Sequence, residues 1–141
     1  MSLRASSVSA YRETSVRTAS GGKIIVMLYD EAIRQINSAV SMLDADTRAL
    51  DKVNSSILKA QDIVTELMVS LDFEQGGEIA DRLFGLYRYF IDQLVQANWQ
   101  KDPEPLREIS TMMSQLRDAW AQIVDTTRVE GRGSGGINVA G

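Results

Sequence analysis

The sequence contains neither cysteine nor histidine. A zinc site is improbable without them, because thiolates and imidazoles are the usual zinc ligands. The di-iron centres of helical bundles also need histidine, in Glu-x-x-His pairs. Histidine is the commonest general base, and no serine in this chain has an evident activating base. We therefore expect no metal, no cofactor and no enzymatic activity. The missing cysteines also fit a reducing compartment.

Long apolar runs and basic clusters are absent as well. No run approaches the roughly 20 apolar residues that a membrane-spanning helix needs, and the first 20 residues lack the apolar segment of a signal peptide. The chain has 15 basic and 19 acidic residues, a net charge of −4. A nucleic-acid-binding protein would need a basic face to neutralise phosphates. These absences predict a protein with no membrane insertion and no nucleic-acid partner.

Apolar residues are plentiful, at 44% of 141 residues, which suffices for one buried core. Residues 1–21 are rich in Ser, Thr, Ala and Arg. Their three arginines and one glutamate give a net charge of +2, which leaves −6 on residues 22–128 and zero on 129–141. We predict an N-terminal arm at 1–21, a folded domain at 22–128 and a flexible tail at 129–141. The basic arm could fold back onto the acidic domain, or the charges could serve solubility alone.

Apolar residues recur at three- and four-residue steps through most of the domain, which predicts helices. The predicted helices span about 22–44, 48–71, 78–98 and 103–128. Gly76 and Gly77 mark a chain reversal. Asp102 is a predicted N-cap, and Pro103 suits the first helical position. Four helices with short links predict an all-α fold, an antiparallel four-helix bundle with a mobile arm and a flexible tail.

Two of the helices carry a second apolar strip beside the core stripe. The strips comprise Ile24, Met27 and Ile33 on the first helix, and Phe84, Ile91 and Val95 on the third. Such surplus apolar surface can form a groove for an amphipathic helix of another protein, and methionines adapt to varied partner shapes. The alternative is that these residues only fill the core. Lys23 and Asp30 are candidates for charges at the rim of such a groove.

Several segments, in order, resemble the flagellin export chaperone family, the FliS type. They are Tyr11 with 16–20, Lys23 with 27–30, then 59–63, 66–68, 70–72 and 76–80, and finally 116–120. Tyr87 and 97–98 fit the family's third helix. The family often has proline where Gly21 stands and a small residue where Glu31 stands, and neither departure affects the assignment.

The resemblance implies a cytosolic chaperone that binds the C-terminal segment of flagellin, prevents its premature polymerisation and delivers it to the flagellar type III export apparatus. The export gate is then a second partner, and relatives suggest an anti-sigma factor or a co-chaperone as another. The second apolar strips supply the candidate flagellin-binding residues, Ile24, Met27, Ile33, Phe84 and Ile91, and any of them could belong to the core instead. The free protein could be a monomer or a dimer.

The resemblance also gives the N-terminal arm a role. Tyr11 and Val16 are predicted to pack on the bundle in the free protein and to be displaced or rearranged by flagellin. The alternative is that Tyr11 is a fixed bundle contact. Two rival classes remain open: an enzyme, which the missing histidine and cysteine disfavour, and a purely structural bundle that acts by self-association.

Overall fold

The computed structural model describes the backbone of residues 21–140 and the side chains of residues 21–125. Four helices account for nearly all of this backbone: α1 (Gly21–Asp44), α2 (Leu50–Val69), α3 (Phe73–Gln100) and α4 (Pro103–Ala140). No strand occurs within residues 21–140. The predicted all-α fold with four helices is confirmed. The arm predicted at 1–21, with Tyr11 and Val16, lies outside the described residues except for Gly21.

The helices are arranged so that each packs on two neighbours. α1 packs on α2 and α4, and α3 also packs on α2 and α4. α1 and α3 therefore lie diagonally across the bundle from each other. Three short connections between successive helices reverse the chain, as an antiparallel bundle requires. The contacts of α3 with its neighbours are sparser than those of α1, which leaves more of its surface uncovered.

The core is built from the residues that the helical periodicity placed on one face of each helix. Its largest fully buried side chains are Tyr29, Tyr87, Phe90, Leu28, Ile36, Ile57, Leu67, Leu94, Leu106, Ile109, Met113 and Val53. Burial of such side chains, at about 1.5–3 kcal/mol each, is the main source of stability in a chain that has no cysteine for a disulfide.

A tyrosine pair connects the two diagonal helices through the centre of the core. The hydroxyl oxygens of Tyr29 on α1 and Tyr87 on α3 lie 2.5 Å apart, and the ring centroids are separated by 6.4 Å. Both side chains are almost fully buried. Burial raises the pKa of both hydroxyls above the usual value near 10, because an ionised oxygen would lose its hydration. The pair is therefore a neutral polar contact inside an apolar core.

A side-chain cap lies at the start of α3, and a residue with left-handed backbone lies at its end. Asp72 Oδ1 accepts hydrogen bonds from the backbone N–H groups of Glu74 and Gln75, at 3.1 and 3.0 Å. A non-helical residue, Gly77 (φ +49°, ψ −122°), then kinks the helix. The regular part of α3 thus starts near the predicted position 78, preceded by one extra turn. At the other end Lys101 has φ +55°.

The start of α4 follows the prediction and its end does not. Asp102 Oδ1 accepts a hydrogen bond from the backbone N–H of Glu104 over 3.0 Å, as expected of an N-cap before Pro103. The helix continues to Ala140 rather than ending near Arg128, so the flexible tail predicted at 129–141 is helical through Ala140. The prediction rested on the glycines after residue 130. Each glycine costs a helix about 1 kcal/mol, but extension of an existing helix needs no new nucleus.

Candidate partner-binding groove

Helix α3 carries most of the exposed large apolar side chains within residues 21–125. Six of these residues belong to it: Phe73, Ile79, Phe84, Tyr89, Val95 and Trp99. Isolated exposed apolar residues are ordinary, but a contiguous apolar face on a small protein typically marks a site for a partner. The sparse packing of α3 on α2 and α4 explains why these side chains stay in contact with water.

Residues of α2 and α3 together form an apolar groove, which we call the α2–α3 groove. Leu58 of α2 lines it together with Val95 and Trp99 of α3, and we include Phe84 and Ile91, which continue along α3. The α3 members are spaced by seven, four and four residues, so they share one side of the helix. Trp99 is 86% exposed and Val95 49%, whereas Phe84 is 37% exposed and Ile91 is half-buried. The groove is therefore most exposed at its Trp99 end.

The end of the groove near Trp99 opens into a recess of about 410 Å³. Its lining residues are Asn54, Leu58, Gln61, Val95, Asn98, Trp99 and Lys101. Polar contacts close one side, where Asn98 Nδ2 donates to Asn54 Oδ1 over 2.7 Å and Lys101 Nζ donates to the Asn98 carbonyl over 2.6 Å. The recess thus has an apolar surface next to a group of hydrogen-bonded polar side chains, and this arrangement suits an amphipathic partner.

The other end of the groove is closed by an aromatic pair. Phe73, in the first turn of α3, meets Phe84 in an edge-to-face contact with ring centroids 6.0 Å apart. Phe73 occupies this position because the Asp72 cap starts the helix before the kink at Gly77. The local backbone of 72–77 therefore extends the apolar face past the regular part of α3.

The opposite side of α3, towards α4, is polar in its C-terminal half. Tyr89 Oη donates to Glu108 Oε1 over 2.6 Å, which raises the pKa of the Tyr89 hydroxyl because the bond and the nearby carboxylate favour its protonated form. Glu104 lies beside Arg107, which also forms a bidentate ion pair with Asp44 of α1. This side of α3 therefore offers polar contacts rather than an apolar binding surface.

The residues predicted for the partner site fall into three environments. Ile24 belongs to the core and is only 8% exposed. Met27 and Ile33 are half-buried on α1, six residues apart and so on different sides of that helix. Phe84 and Ile91 lie in the α2–α3 groove. Because α1 and α3 are diagonal, the structure does not bring the two predicted strips into one surface.

The sequence prediction missed some residues of the groove and assigned a different contact to one charged residue. Leu58 and Trp99 were missed, although the spacing from Ile91 and Val95 to Trp99 is a helical signal. Asp30 was expected as a charge at the rim of the groove. Its Oδ1 atom forms an ion pair with Nε of Arg117 over 2.7 Å, and this pair links α1 to α4.

Among the residues that the structure describes, no group of three or more potential metal ligands converges. None of the helices, over the same residues, is both long enough and apolar enough to cross a membrane.

The fold and the groove define the molecule as a small antiparallel helical bundle with an uncovered apolar face on one helix. A family model described as "Flagellar protein FliS" matches residues 4–127. A Bacillus subtilis protein named "Flagellar secretion chaperone FliS" is 34% identical over 128 residues, 91% of this chain and 93% of the relative. Proteins of the same name from Salmonella typhimurium and Vibrio cholerae are 36% and 31% identical. The first alignment covers 84% of this chain and 90% of the relative, and the second 83% and 88%. The chain belongs to the FliS family of flagellar secretion chaperones.

Proposed function

We propose that this protein is a cytosolic chaperone that binds the C-terminal segment of flagellin in the α2–α3 groove, prevents its premature polymerisation and delivers it to the flagellar type III export apparatus. The observation that carries the proposal is the exposed apolar surface of α3, together with a family whose members are named for flagellar secretion. The export gate is the partner that would receive the loaded chaperone. A regulator such as an anti-sigma factor or co-chaperone remains a further candidate partner.

The dimensions of the groove suit a helical segment. The α3 residues from Phe84 to Trp99 span about 22 Å along the helix axis, at 1.5 Å per residue. A bound helix of about 15 residues would cover this length. Amphipathic helices dock in such grooves through apolar residues at three- and four-residue spacing. The exposed apolar face of the segment would otherwise favour aggregation.

Trp99 offers the largest gain in contact area on binding. It is 86% exposed in the free protein, and tryptophan is enriched among the residues that dominate binding energy. Its neighbour Val95 is half-exposed, and Leu58 forms the facing wall. A partner side chain inserted between them would remove all three from water. Binding alone accounts for the proposed function, without a catalytic step.

Calorimetric titration with a synthetic peptide of the last 40 or so residues of the host's flagellin tests the proposal. We expect saturable one-to-one binding and a negative heat-capacity change, because apolar surface is buried. Trp99→Ala is expected to weaken binding at least about tenfold, as hot-spot truncations do. Ile123→Ala is the matched control, since Ile123 is 56% exposed on α4, outside the groove.

Three outcomes would contradict parts of this proposal. No binding by the folded wild-type protein at micromolar concentrations would overturn the chaperone function. A larger loss for Ile123→Ala than for Trp99→Ala would move the site away from the α2–α3 groove. A doubling of the mass in solution without peptide, abolished by Trp99→Ala, would show that a second copy of this chain occupies the groove.

A further inference from the structure

A single charged residue interrupts the apolar strip of α3. Arg88 lies four residues after Phe84, three before Ile91 and seven before Val95, so it shares their side of the helix. It is exposed to solvent. Any helix laid along the α2–α3 groove from Phe84 to Trp99 must therefore pass over or beside the Arg88 side chain.

Arg88 differs from the other helical arginines among residues 21–125, because it makes no ion pair within that part of the chain. Arg34 pairs with Glu31 and Arg82 pairs with Glu78. Arg107 pairs with Asp44 and Glu104, and Arg117 with Asp30. Asp92, one turn after Arg88, is close enough in sequence for an i,i+4 pair, but none forms.

An unpaired arginine at this place puts a condition on the occupant. A partner that covers the groove removes water from the guanidinium group, and burial of an unpaired charge is costly. An apolar surface would incur that cost in full. A carboxylate would offset it, since arginine binds carboxylates through two parallel hydrogen bonds.

We infer that Arg88 binds an acidic side chain of the flagellin segment and thereby fixes the register of that segment along the groove. This inference rests on the proposed function and adds the charge selectivity of the site. Because a bound helix uses its backbone carbonyls internally, its side chains must supply the acceptor. The apolar neighbours of Arg88 specify the surroundings of this acid: a Glu or Asp with large apolar residues about one turn before and after it.

The experiment measures affinity for the C-terminal flagellin peptide by calorimetry, using the full-length protein. Arg88→Glu is expected to raise Kd about 10- to 100-fold, the range for loss of a charge-assisted hydrogen bond plus repulsion. Arg88→Lys keeps the charge but loses the bidentate geometry, so it should raise Kd by a smaller factor. Arg34→Glu is the matched control, because it makes the same charge change on α1, where it replaces the exposed pair with Glu31 by two neighbouring carboxylates.

A reciprocal change identifies the partner residue. Each Asp or Glu of the peptide is replaced in turn by Lys, and one replacement should weaken binding to the wild-type protein yet restore binding to Arg88→Glu. Circular dichroism confirms that the variants are folded. If Trp99→Ala weakens binding while Arg88→Glu and Arg34→Glu both bind like wild type, the inference is wrong and the proposed function stands. If the wild-type protein does not bind the peptide, both are overturned.

Discussion

Removal of either hydroxyl of the central tyrosine pair should destabilise the bundle without changing its shape. Phenylalanine has nearly the same volume as tyrosine, so Tyr29→Phe or Tyr87→Phe removes one oxygen and leaves the packing intact. The remaining hydroxyl would be buried without its present partner, which lies 2.5 Å away. An unsatisfied buried polar group costs about 1–3 kcal/mol. Tyr29→Phe, which leaves the Tyr87 hydroxyl without that partner, is therefore expected to lose about that much free energy of unfolding. Tyr87→Phe is expected to lose less, because the Tyr29 hydroxyl keeps a hydrogen bond with Trp120.

The double variant distinguishes this explanation from a simple loss of contacts. With both oxygens removed, no buried hydroxyl lacks a partner, so the double variant should lose less stability than the sum of the two single variants. We expect a favourable coupling of about 1 kcal/mol or more between the two sites. Urea unfolding gives the free energies, and thermal unfolding should show shifts of about 4 °C per kcal/mol for a chain of this size.

Two results would refute the reasoning about the pair. Single variants as stable as the wild type would mean that the two hydroxyls do not depend on each other. Strict additivity in the double variant would mean the same. The peptide affinity of the folded double variant serves as a control, since neither tyrosine lies in the α2–α3 groove.

The tyrosine pair also predicts a pH dependence of the free energy of unfolding, because burial raises the pKa of both hydroxyls. Their contribution to stability is fully present below about pH 10. It falls as the pH rises further, because the tyrosines then ionise in the unfolded chain before they ionise in the folded protein. Urea unfolding at pH 8 to 11 would test this, and the double phenylalanine variant should show a shallower loss. Gly77→Ala should destabilise the protein by about 1 kcal/mol because Gly77 has φ +49°. Gly85→Ala, in an open helical position, should stabilise it by about 0.5–1 kcal/mol, so thermal shifts of the same sign for both variants would contradict the model of the kink. The hydrogen bonds of Arg107 lower the pKa of Asp44, so the contribution of this ion pair is present above about pH 4 and is lost as the pH falls through the lowered pKa. A comparison of Asp44→Asn with wild type by urea unfolding should show a difference near neutral pH that disappears in acid.

The helices could be predicted from the sequence because their apolar residues recur with a clear period and their ends carry recognisable caps. Asp102 accepts the predicted type of hydrogen bond at the start of α4, and the kink at Gly77 marks the start of the regular part of α3. The turn before that kink was not predicted, because two adjacent glycines, Gly76 and Gly77, favour a reversal of the chain over a helical turn. The end of α4 was missed because glycine lowers helix stability without forbidding a helix.

The groove was harder to predict because the pattern of one helix does not show which neighbour covers its flanks. The strips on the first and third helices looked equivalent in sequence. In the structure Ile24 is covered by the core, whereas Phe84 is 37% exposed and Ile91 is half-buried. Leu58 could be assigned only once α2 and α3 were placed side by side. Trp99 was missed because it follows the last core residue of α3, beyond the stripe that the prediction followed.

The position of Trp99 makes the protein its own reporter of groove occupancy. The chain has two tryptophans, Trp99 and Trp120, and they sit in contrasting surroundings. Trp99 is 86% exposed, whereas Trp120 packs partly against the core. Indole fluorescence shifts to shorter wavelength when the ring leaves water, so a segment that covers Trp99 should produce a blue shift that Trp120 does not share. Loading of the groove, and its unloading by any receptor, could then be followed in real time without a dye or a label.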